Sequence, residues 1–442
     1  MSTSALAAGV RIGRVRFSIV AMLFAITVIN YADRATISIA GPLLSRDLGI
    51  TPVELGFVFS AFGWSYVVGQ IPGGRLLDRF GSKTVCLWNI VLWSAFTILQ
   101  GGVIFTPTAI AVTLLFGLRL LVGFAEAPSL PANSRIVAAW FPDSERGTAA
   151  AIFNSAQYFA TVLFAPLMGW VAHEFGWSYV FYVMGGLGMI VALVVRHTIY
   201  APRAHPNVMA SELDYIKAGG ALVNMDAAPP ARPMPGETWA AIRMLLRSRM
   251  MLGIFLGQYC ISTLTYFFLT WFPVYLVQQR GMSILKAGIV ASIPAICGFA
   301  GGVLGGVFSD ALLRRGVSLT TARKIPIVFG MLLSTCMVLC NYVDAEWLVV
   351  TIMALAFFGK GIGALGWAVM SDTARPDIAG LSAGLFNMFG NIAAITTPIA
   401  IGYIIAGTGS FNGALLFVGA NALVAVLAYG LIVGRIERFA SA

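Results

Sequence analysis

The stretch Gly74-Arg-Leu-Leu-Asp78-Arg79-Phe-Gly81-Ser-Lys83 joins two apolar runs, near 54–74 and 83–104. A counterpart, Gly306-Val-Phe-Ser-Asp310-Ala-Leu-Leu-Arg314-Arg315-Gly316, follows the run near 284–311. The same acidic and basic punctuation thus recurs after the second run of each half. Around these stretches lie runs near 16–40, 108–131, 146–171 and 177–197 in the first half, and near 251–279, 324–341, 347–371, 380–406 and 411–434 in the second. Each is about the length that an α-helix needs to cross a hydrocarbon core of about 30 Å, roughly 20 residues. A six-plus-six duplication is the simplest account, and parallel repeats of this kind form two bundles around a midplane cavity. The expected fold is an all-α membrane protein of twelve transmembrane helices in two six-helix bundles. Residues 1–197 form the first bundle, 198–250 a cytoplasmic central loop and 251–442 the second bundle.

Composition agrees. Of 442 residues, 59% are hydrophobic and 10% charged, whereas a soluble domain carries about a quarter charged residues. The net charge of +10 does not point to nucleic acid, because the basic residues sit between the apolar runs. Arg11, Arg14 and Arg16 precede the first run. Loops with Arg75, Arg79 and Lys83, with Arg135 and Arg146, with Arg314, Arg315, Arg323 and Lys324, the central loop, and the tail with Arg435 and Arg438 all fall on one side. The other side has Arg46, Arg280 and Lys286. By the positive-inside rule both termini are cytoplasmic, which requires an even number of crossings. The first run is long, contains charge and lacks a small-residue cleavage site, so it reads as a retained helix. The stretch Tyr200 to Arg249, with Pro229, Pro230, Pro233 and Pro235, reads as a loop with one short amphipathic piece around Ser211 to Lys217.

The pattern Gly74-x-Leu76-x-Asp78-Arg79-x-Gly81-x-Lys83 resembles the cytoplasmic signature of the major facilitator superfamily. Its glycines allow close helix approach, and Asp78 suits the positive N-terminal dipole of a neighbouring helix. Asp78, Arg79 and the matching Asp310 are the candidate gating residues. Asn30-Tyr31-Ala32-Asp33-Arg34, Phe59-Ser-Ala-Phe-Gly-Trp64-Ser-Tyr66, Gln70-Ile-Pro-Gly-Gly74 and Trp140-Phe-Pro142-x-x-Glu145-Arg146-Gly147 resemble the anion:cation symporters that carry sugar acids. Gly219-Gly-Ala-Leu-Val-Asn-Met-Asp226, Leu269-Thr-Trp-Phe-Pro-Val-Tyr-Leu276 and Phe358-Gly-Lys360-Gly-Ile-Gly-Ala-Leu-Gly-Trp367 look nearest to the glucarate/galactarate permeases, with galactonate and hexuronate carriers as relatives. The resemblance runs nearly end to end. It implies a monomeric proton-coupled carrier of sugar-acid anions in the inner membrane, with the lipid bilayer, the anion and protons as its partners.

Ionisable groups inside membrane helices cost about 3 kcal/mol on insertion scales and mark pathways or pairs. Five stand out: Asp33 and Arg34 in the first helix, Arg119 and Glu126 in the fourth, and Lys360 in the tenth. Arg119 and Glu126 are seven apart and share a helix face. A carboxylate held beside an arginine stays ionised until the arginine is drawn away, after which it takes up a proton; an anion on Arg34 or Arg119 supplies that switch. The resemblance assigns protons to Asp33 and Glu126 and the substrate carboxylate to Arg34, whose planar fork grips it bidentately. It also assigns polyol contacts to Tyr31, Tyr66 and Gln157, a second-bundle amide to Asn387, with Asn391 one turn on, and a cavity position to Trp367. Tyr31 lies three residues from Arg34, on the same helix face. Lys360 lies seven residues before Trp367 and faces the same way, so it stands as a second cation for a diacid, opposite Arg34. Pairing of Lys360 with a backbone carbonyl or an acid is the competing reading.

Gly361-x-Gly363-x-x-Gly366 fits a dinucleotide fingerprint, but it lies inside an apolar helix with no strand before it, so close helix packing explains it. No Gly-x-x-x-x-Gly-Lys-Ser/Thr loop occurs, which points to an ion gradient rather than ATP. No cofactor is expected beyond the proton as coupling ion. His173, His197 and His205 are scattered, the five cysteines have no ligand spacing, and Cys336 and Cys340 read as helix packing, so no metal or membrane-embedded enzyme is expected. A sensor normally brings a long signalling tail, and the chain ends soon after Arg438. A monoacid such as galactonate, a hexuronate or an aromatic acid, and sodium in place of the proton, stay open as alternatives.

Overall fold

In lipid every backbone polar group must find a partner within the chain, and apolar runs meet that demand as helices. The computed structural model describes residues 13–224, 235–373 and 378–438. Its first half consists of α1 (Val15–Leu48), α2 (Pro52–Gly101), α3 (Thr108–Glu126), α4 (Ser129–Trp140), α5 (Asp143–Phe175) and α6 (Trp177–Thr198). Two short helices follow, α7 (Ala210–Ala218) and α8 (Pro235–Arg247). The second half holds α9 (Arg249–Tyr266), which passes through a π-helical turn into α10 (Phe272–Gln278), then α11 (Ile284–Arg314) and α12 (Leu319–Ser334). It ends with α13 (Glu346–Ile362), α14 (Gly366–Thr373), α15 (Ala379–Thr408) and α16 (Asn412–Leu427). Among the described residues there are 11 helical segments long and apolar enough to cross a membrane.

The expected run at 54–74 is the start of α2, a helix of 50 residues. At 1.5 Å per residue that is about 75 Å, more than twice the apolar core of a bilayer. The chain bends at Gly81, which has φ 76° and ψ 162°, a conformation essentially confined to glycine. The signature therefore lies on helix up to Phe80, and Gly81 makes the turn. Gly74, expected at a close helix contact, faces open space. Two other expected runs differ from the observed helices. The fourth bends at Pro128 and continues as α4 to Trp140, which puts Arg135 on a helix rather than in a loop. The tenth breaks between Ile362 and Gly366, so the glycine-rich stretch there is not one continuous helix. Its glycines do pack closely, since a Cβ at Gly361 would stand 2.2 Å from the Gly298 carbonyl oxygen of α11.

Capping explains several helix starts. Thr51 Oγ1 accepts from Glu54 N while Glu54 accepts from Thr51 N, a complete capping box with Pro52 at the first helical position. Ser283 and Ser318 cap α11 and α12 in the same sense. Helix α1 has no such cap of its own at Arg14. Its start is held from the central stretch, where the fully buried Glu212 of α7 accepts from Val15 N at 3.1 Å and Arg16 N at 3.0 Å. Arg16, which lies inside α1 and not before it, pairs with Glu145 at 3.0 Å and Glu212 at 3.4 Å. Arg11 lies outside the described residues. The short amphipathic piece at Ser211 to Lys217 is thus α7, packed against α1 and α5. The remainder is less loop-like than expected, because α8 is a second helix with Pro235 at its start; Pro229, Pro230 and Pro233 lie outside the described residues.

The two halves meet chiefly through α2 against α15 and α5 against α11. A Cβ at Gly56 would stand 2.6 Å from the Pro398 carbonyl oxygen, and one at Gly288 would stand 2.6 Å from that of Ala165. These contacts are at the end of the molecule carrying residues 49–52 and 281–284. At the opposite end, beside the signature, Gly147, Gly306, Gly380 and Gly384 have no such neighbour. The halves are closed at one end and parted at the other, with a cavity between them.

Candidate functional site

The cavity contains about 1120 Å³ of atom-free space, including the part open to solvent, and Arg34, Lys360, Trp367 and Asn387 are on its wall. Tyr31, Tyr66, Gln157 and Asn391 line it too. All the substrate residues expected from the sequence except Arg119 therefore converge. Asp33, Glu126 and Arg119 are buried beside it, at 2%, 0% and 3% exposure.

Helix α1 presents Tyr31 and Arg34 one turn apart. The Arg34 guanidinium stands 4.7 Å from the Tyr31 ring centroid, 4.6 Å from that of Phe62 and 4.8 Å from that of Tyr66. Arg34 Nε donates to Glu126 Oε2 at 2.8 Å. The pair uses one bond where an arginine fork and a carboxylate can make two: Arg34 Nη2 is buried without a partner, and Glu126 Oε1 has Asn30 beside it as a further polar neighbour. Arg34 retains a donor for a second anion, and Glu126 retains an oxygen for a proton. Aromatic rings around a desolvated guanidinium contribute about 2 kcal/mol or more each; they hold the group in place but carry no counter-charge.

Arg119 shares the face of Glu126, as its spacing implied, but does not pair with it. Its guanidinium lies 5.5 Å from the Phe62 ring, its Nε has no partner, and its charge acts on Asp33 and Glu126 alike. Asp33 accepts from Thr97 Oγ1 at 3.0 Å. Two acids and two arginines thus form a compact buried network with the Arg34 end bordering the cavity.

In the second half a chain of polar side chains crosses the cavity wall. Tyr266 OH donates to Asn391 Oδ1 at 3.0 Å, Asn391 Nδ2 donates to Asn387 Oδ1 at 3.1 Å, and Asn387 Nδ2 donates to Gln70 Oε1 of α2 at 3.3 Å. Trp367 packs edge-on against Phe386, with centroids 4.9 Å apart. Lys360 is 6% exposed and in the last turn of α13. The break after Ile362 removes the shared helix face that linked Lys360 to Trp367, yet both line the cavity because α14 restarts in a new phase.

Sequence reasoning missed Gln258, Ser262, Thr265 and Tyr266, which line the cavity from α9. Their spacing of four, three and one is a polar stripe on a helix otherwise bathed in apolar surroundings, and that stripe was the available signal. Tyr158, beside Gln157, and Gln70, the partner of Asn387, were also missed as site residues.

The candidate gating residues lie at the parted end. Asp78 faces an arginine rather than a helix N-terminus: Arg135 Nη1 of α4 stands 2.5 Å from Asp78 Oδ1. In the second half Arg323 pairs with Asp310 at 3.3 Å and with Asp372 at 2.8 Å. Each pair braces its own half. Arg79 is exposed, with its guanidinium 5.2 Å from the Phe80 ring.

Two helical halves around a charged cavity that opens at one end define a membrane transport protein rather than an enzyme. The sequence profile described as Major Facilitator Superfamily matches residues 23–322, and the chain belongs to that superfamily. It is 64% identical over 425 residues to the probable galactarate/D-glucarate transporter GudP of Escherichia coli strain K12, covering 96% of this chain and 94% of the relative. It is 62% identical over 424 residues to the protein of the same description from Bacillus subtilis strain 168, covering 96% and 93%. Identity to the D-galactonate transporter of Escherichia coli O6:H1 is 39% over 429 residues, covering 96% and 97%. Among solved structures, the D-xylose-proton symporter superposes with a TM-score of 0.73 at 16% identity, covering 95% of this chain and 98% of that one. A bacterial homolog of the human lysosomal transporter Spinster, inward-facing and occupied, gives 0.74 at 16%, covering 97% and 99%. At such identity these two likenesses concern the fold alone.

Proposed function

We propose that the protein carries a sugar-acid anion of the galactarate or D-glucarate type across the inner membrane together with protons, by alternating access. The reading takes α2 as two crossings joined at Gly81, making twelve in two bundles, 1–197 and 251–442, linked by a cytoplasmic segment at 198–250. With both termini in the cytoplasm, the parted end faces inward.

The half-used Arg34–Glu126 pair carries the reading. An incoming carboxylate competes with Glu126 for the Arg34 fork, whose Nη2 has no partner. Glu126, losing its cation in a dry site, takes a proton, because burial of an unpaired carboxylate costs more than burial of the neutral acid. Asp33, close to the same charges and bonded to Thr97, is the second proton carrier, and Arg119 tunes both acids. Tyr31, Tyr66, Gln157, Trp367 and Asn387 contact the polyol. The braces at Asp78 and Asp310, with Arg79 next to the first, rearrange as the parted end closes. The 64% and 62% identical relatives described as galactarate/D-glucarate transporters support the substrate class.

Uptake of galactarate, D-glucarate, galactonate and glucuronate into proteoliposomes, with external pH followed in parallel, tests the reading. Alkalinisation outside that tracks sugar-acid uptake is expected. Uptake that leaves external pH unchanged, or that requires sodium, overturns proton coupling.

A further inference from the structure

Lys360 is buried in the cavity wall and makes no ion pair among the described residues, unlike Arg34. Its ammonium is near the Phe357 ring at 5.1 Å and the Tyr158 ring at 5.9 Å, measured to the centroids. It lies in the last turn of α13 and so benefits from the negative end of that helix dipole. The dipole acts along the helix axis and leaves the ammonium's own donors for the cavity. Lys360 borders two adjoining spaces: the central cavity that it shares with Arg34, and a lobe of about 510 Å³ lined also by Tyr31, Gln157, Tyr158 and Thr265. Tyr31, whose ring faces the Arg34 guanidinium, lines both spaces, so Arg34 and Lys360 border one continuous cavity from opposite halves.

We infer that Lys360 binds the far carboxylate of a dicarboxylic sugar acid whose near carboxylate is on Arg34, and that Lys360 is therefore the residue selecting diacids over monoacids. The inference rests on the sugar-acid reading above. Galactarate and galactonate differ only at the far carbon, a carboxylate in one and a hydroxymethyl in the other. The hydroxymethyl leaves a desolvated ammonium facing a neutral group, and a buried charge without its counter-charge is the costlier arrangement. Tyr158 and Thr265 supply hydroxyls to the same carboxylate. Arg34 belongs to the first half and Lys360 to the second, so a diacid also joins the two halves that must move together.

The test is competitive binding of galactarate and galactonate to the purified full-length protein and to Lys360→Met, which keeps length and helix preference and removes charge. Wild type should bind galactarate at least ~30-fold more tightly than galactonate, the scale of losing one partner of a desolvated charge pair. In Lys360→Met the gap between the two ligands should close to about twofold, because galactarate loses its cation and galactonate no longer leaves one unpaired. Lys360→Arg, which restores the cation, should recover most of the gap and serves as the measure if the methionine variant does not fold. An equal loss of both ligands would assign Lys360 to the helix end alone, and a gap that survives in Lys360→Met overturns the inference. Proton movement does not enter this binding readout, so a failure of symport and a failure of the Lys360 assignment appear in different experiments.

Discussion

Replacing Glu126 by Gln removes the acid that competes with substrate for Arg34. In the wild protein the Arg34–Glu126 bond, 2.8 Å long and buried, must be weakened before a substrate carboxylate can take both arms of the fork. A hydrogen bond to a charged group contributes about 1.5–3 kcal/mol, so its removal should tighten substrate binding by about tenfold to a hundredfold. Arg34 without its carboxylate is also a buried unpaired charge in the empty carrier, a cost of about 3–5 kcal/mol. That cost falls on the unliganded state and so favours binding further, while lowering the stability of the empty protein. The sign with pH is definite. Protonation of Glu126 frees Arg34, so wild-type affinity should rise as pH falls, and Glu126→Gln should bind tightly at every pH. Calorimetric titration of galactarate from mildly acidic to mildly alkaline buffer reads both effects. The variant should still exchange labelled for unlabelled substrate across a proteoliposome membrane, but its pH-driven accumulation should fall, with Asp33 the proposed proton carrier that remains. A Gln variant that retains the wild-type pH slope, or that accumulates substrate as well as the wild type, would place the coupling proton elsewhere and refute the reasoning.

Arg34→Lys replaces a planar fork by a point charge and should weaken substrate binding by at least ~10-fold while leaving the fold intact, checked by the same titration beside a melting curve. Gln70→Ala deletes the amide link to Asn387, a contact of about 1 kcal/mol. Spin-label distances between the α2 and α15 ends at Asp78 and Gly380 should lengthen or broaden, and an unchanged distribution would remove Gln70 from the closing machinery. Glu212→Ala leaves the start of α1 uncapped and Arg16 half paired, so the melting midpoint should fall by a few degrees, reflecting a loss of about 2 kcal/mol.

The sequence carried membership of the site better than its wiring, for a physical reason. Lipid-spanning helices exclude charge so strongly that Asp33, Arg34, Arg119, Glu126 and Lys360 are conspicuous against apolar runs, and all five are buried at or beside the cavity. Their pairing depends on helix phase and on contacts between helices far apart in the chain. Periodicity put Arg119 and Glu126 on one face, correctly, but the partner of Glu126 is Arg34, which comes 92 residues earlier. Arg119 and Glu126, two turns apart, are too distant along one helix to bond directly, whereas α1 brings Arg34 alongside. The Lys360–Trp367 argument assumed an unbroken helix, and the interruption between Ile362 and Gly366 is the kind of local event that Gly363 permits and apolarity cannot reveal. The Gln258, Ser262, Thr265 and Tyr266 stripe had the opposite problem. Neutral polar residues cost little enough in a membrane helix to occur as ordinary interhelical glue, so they gain meaning only when the cavity is seen. The cost of an ion in lipid therefore locates a site, and the satisfied or unsatisfied state of each ion, seen only in three dimensions, separates its uses. Arg34 and Glu126 share a single bond, a state that a competing carboxylate can exchange, whereas Lys360 has aromatic neighbours and no ion pair among the described residues, and its proposed carboxylate comes from a ligand.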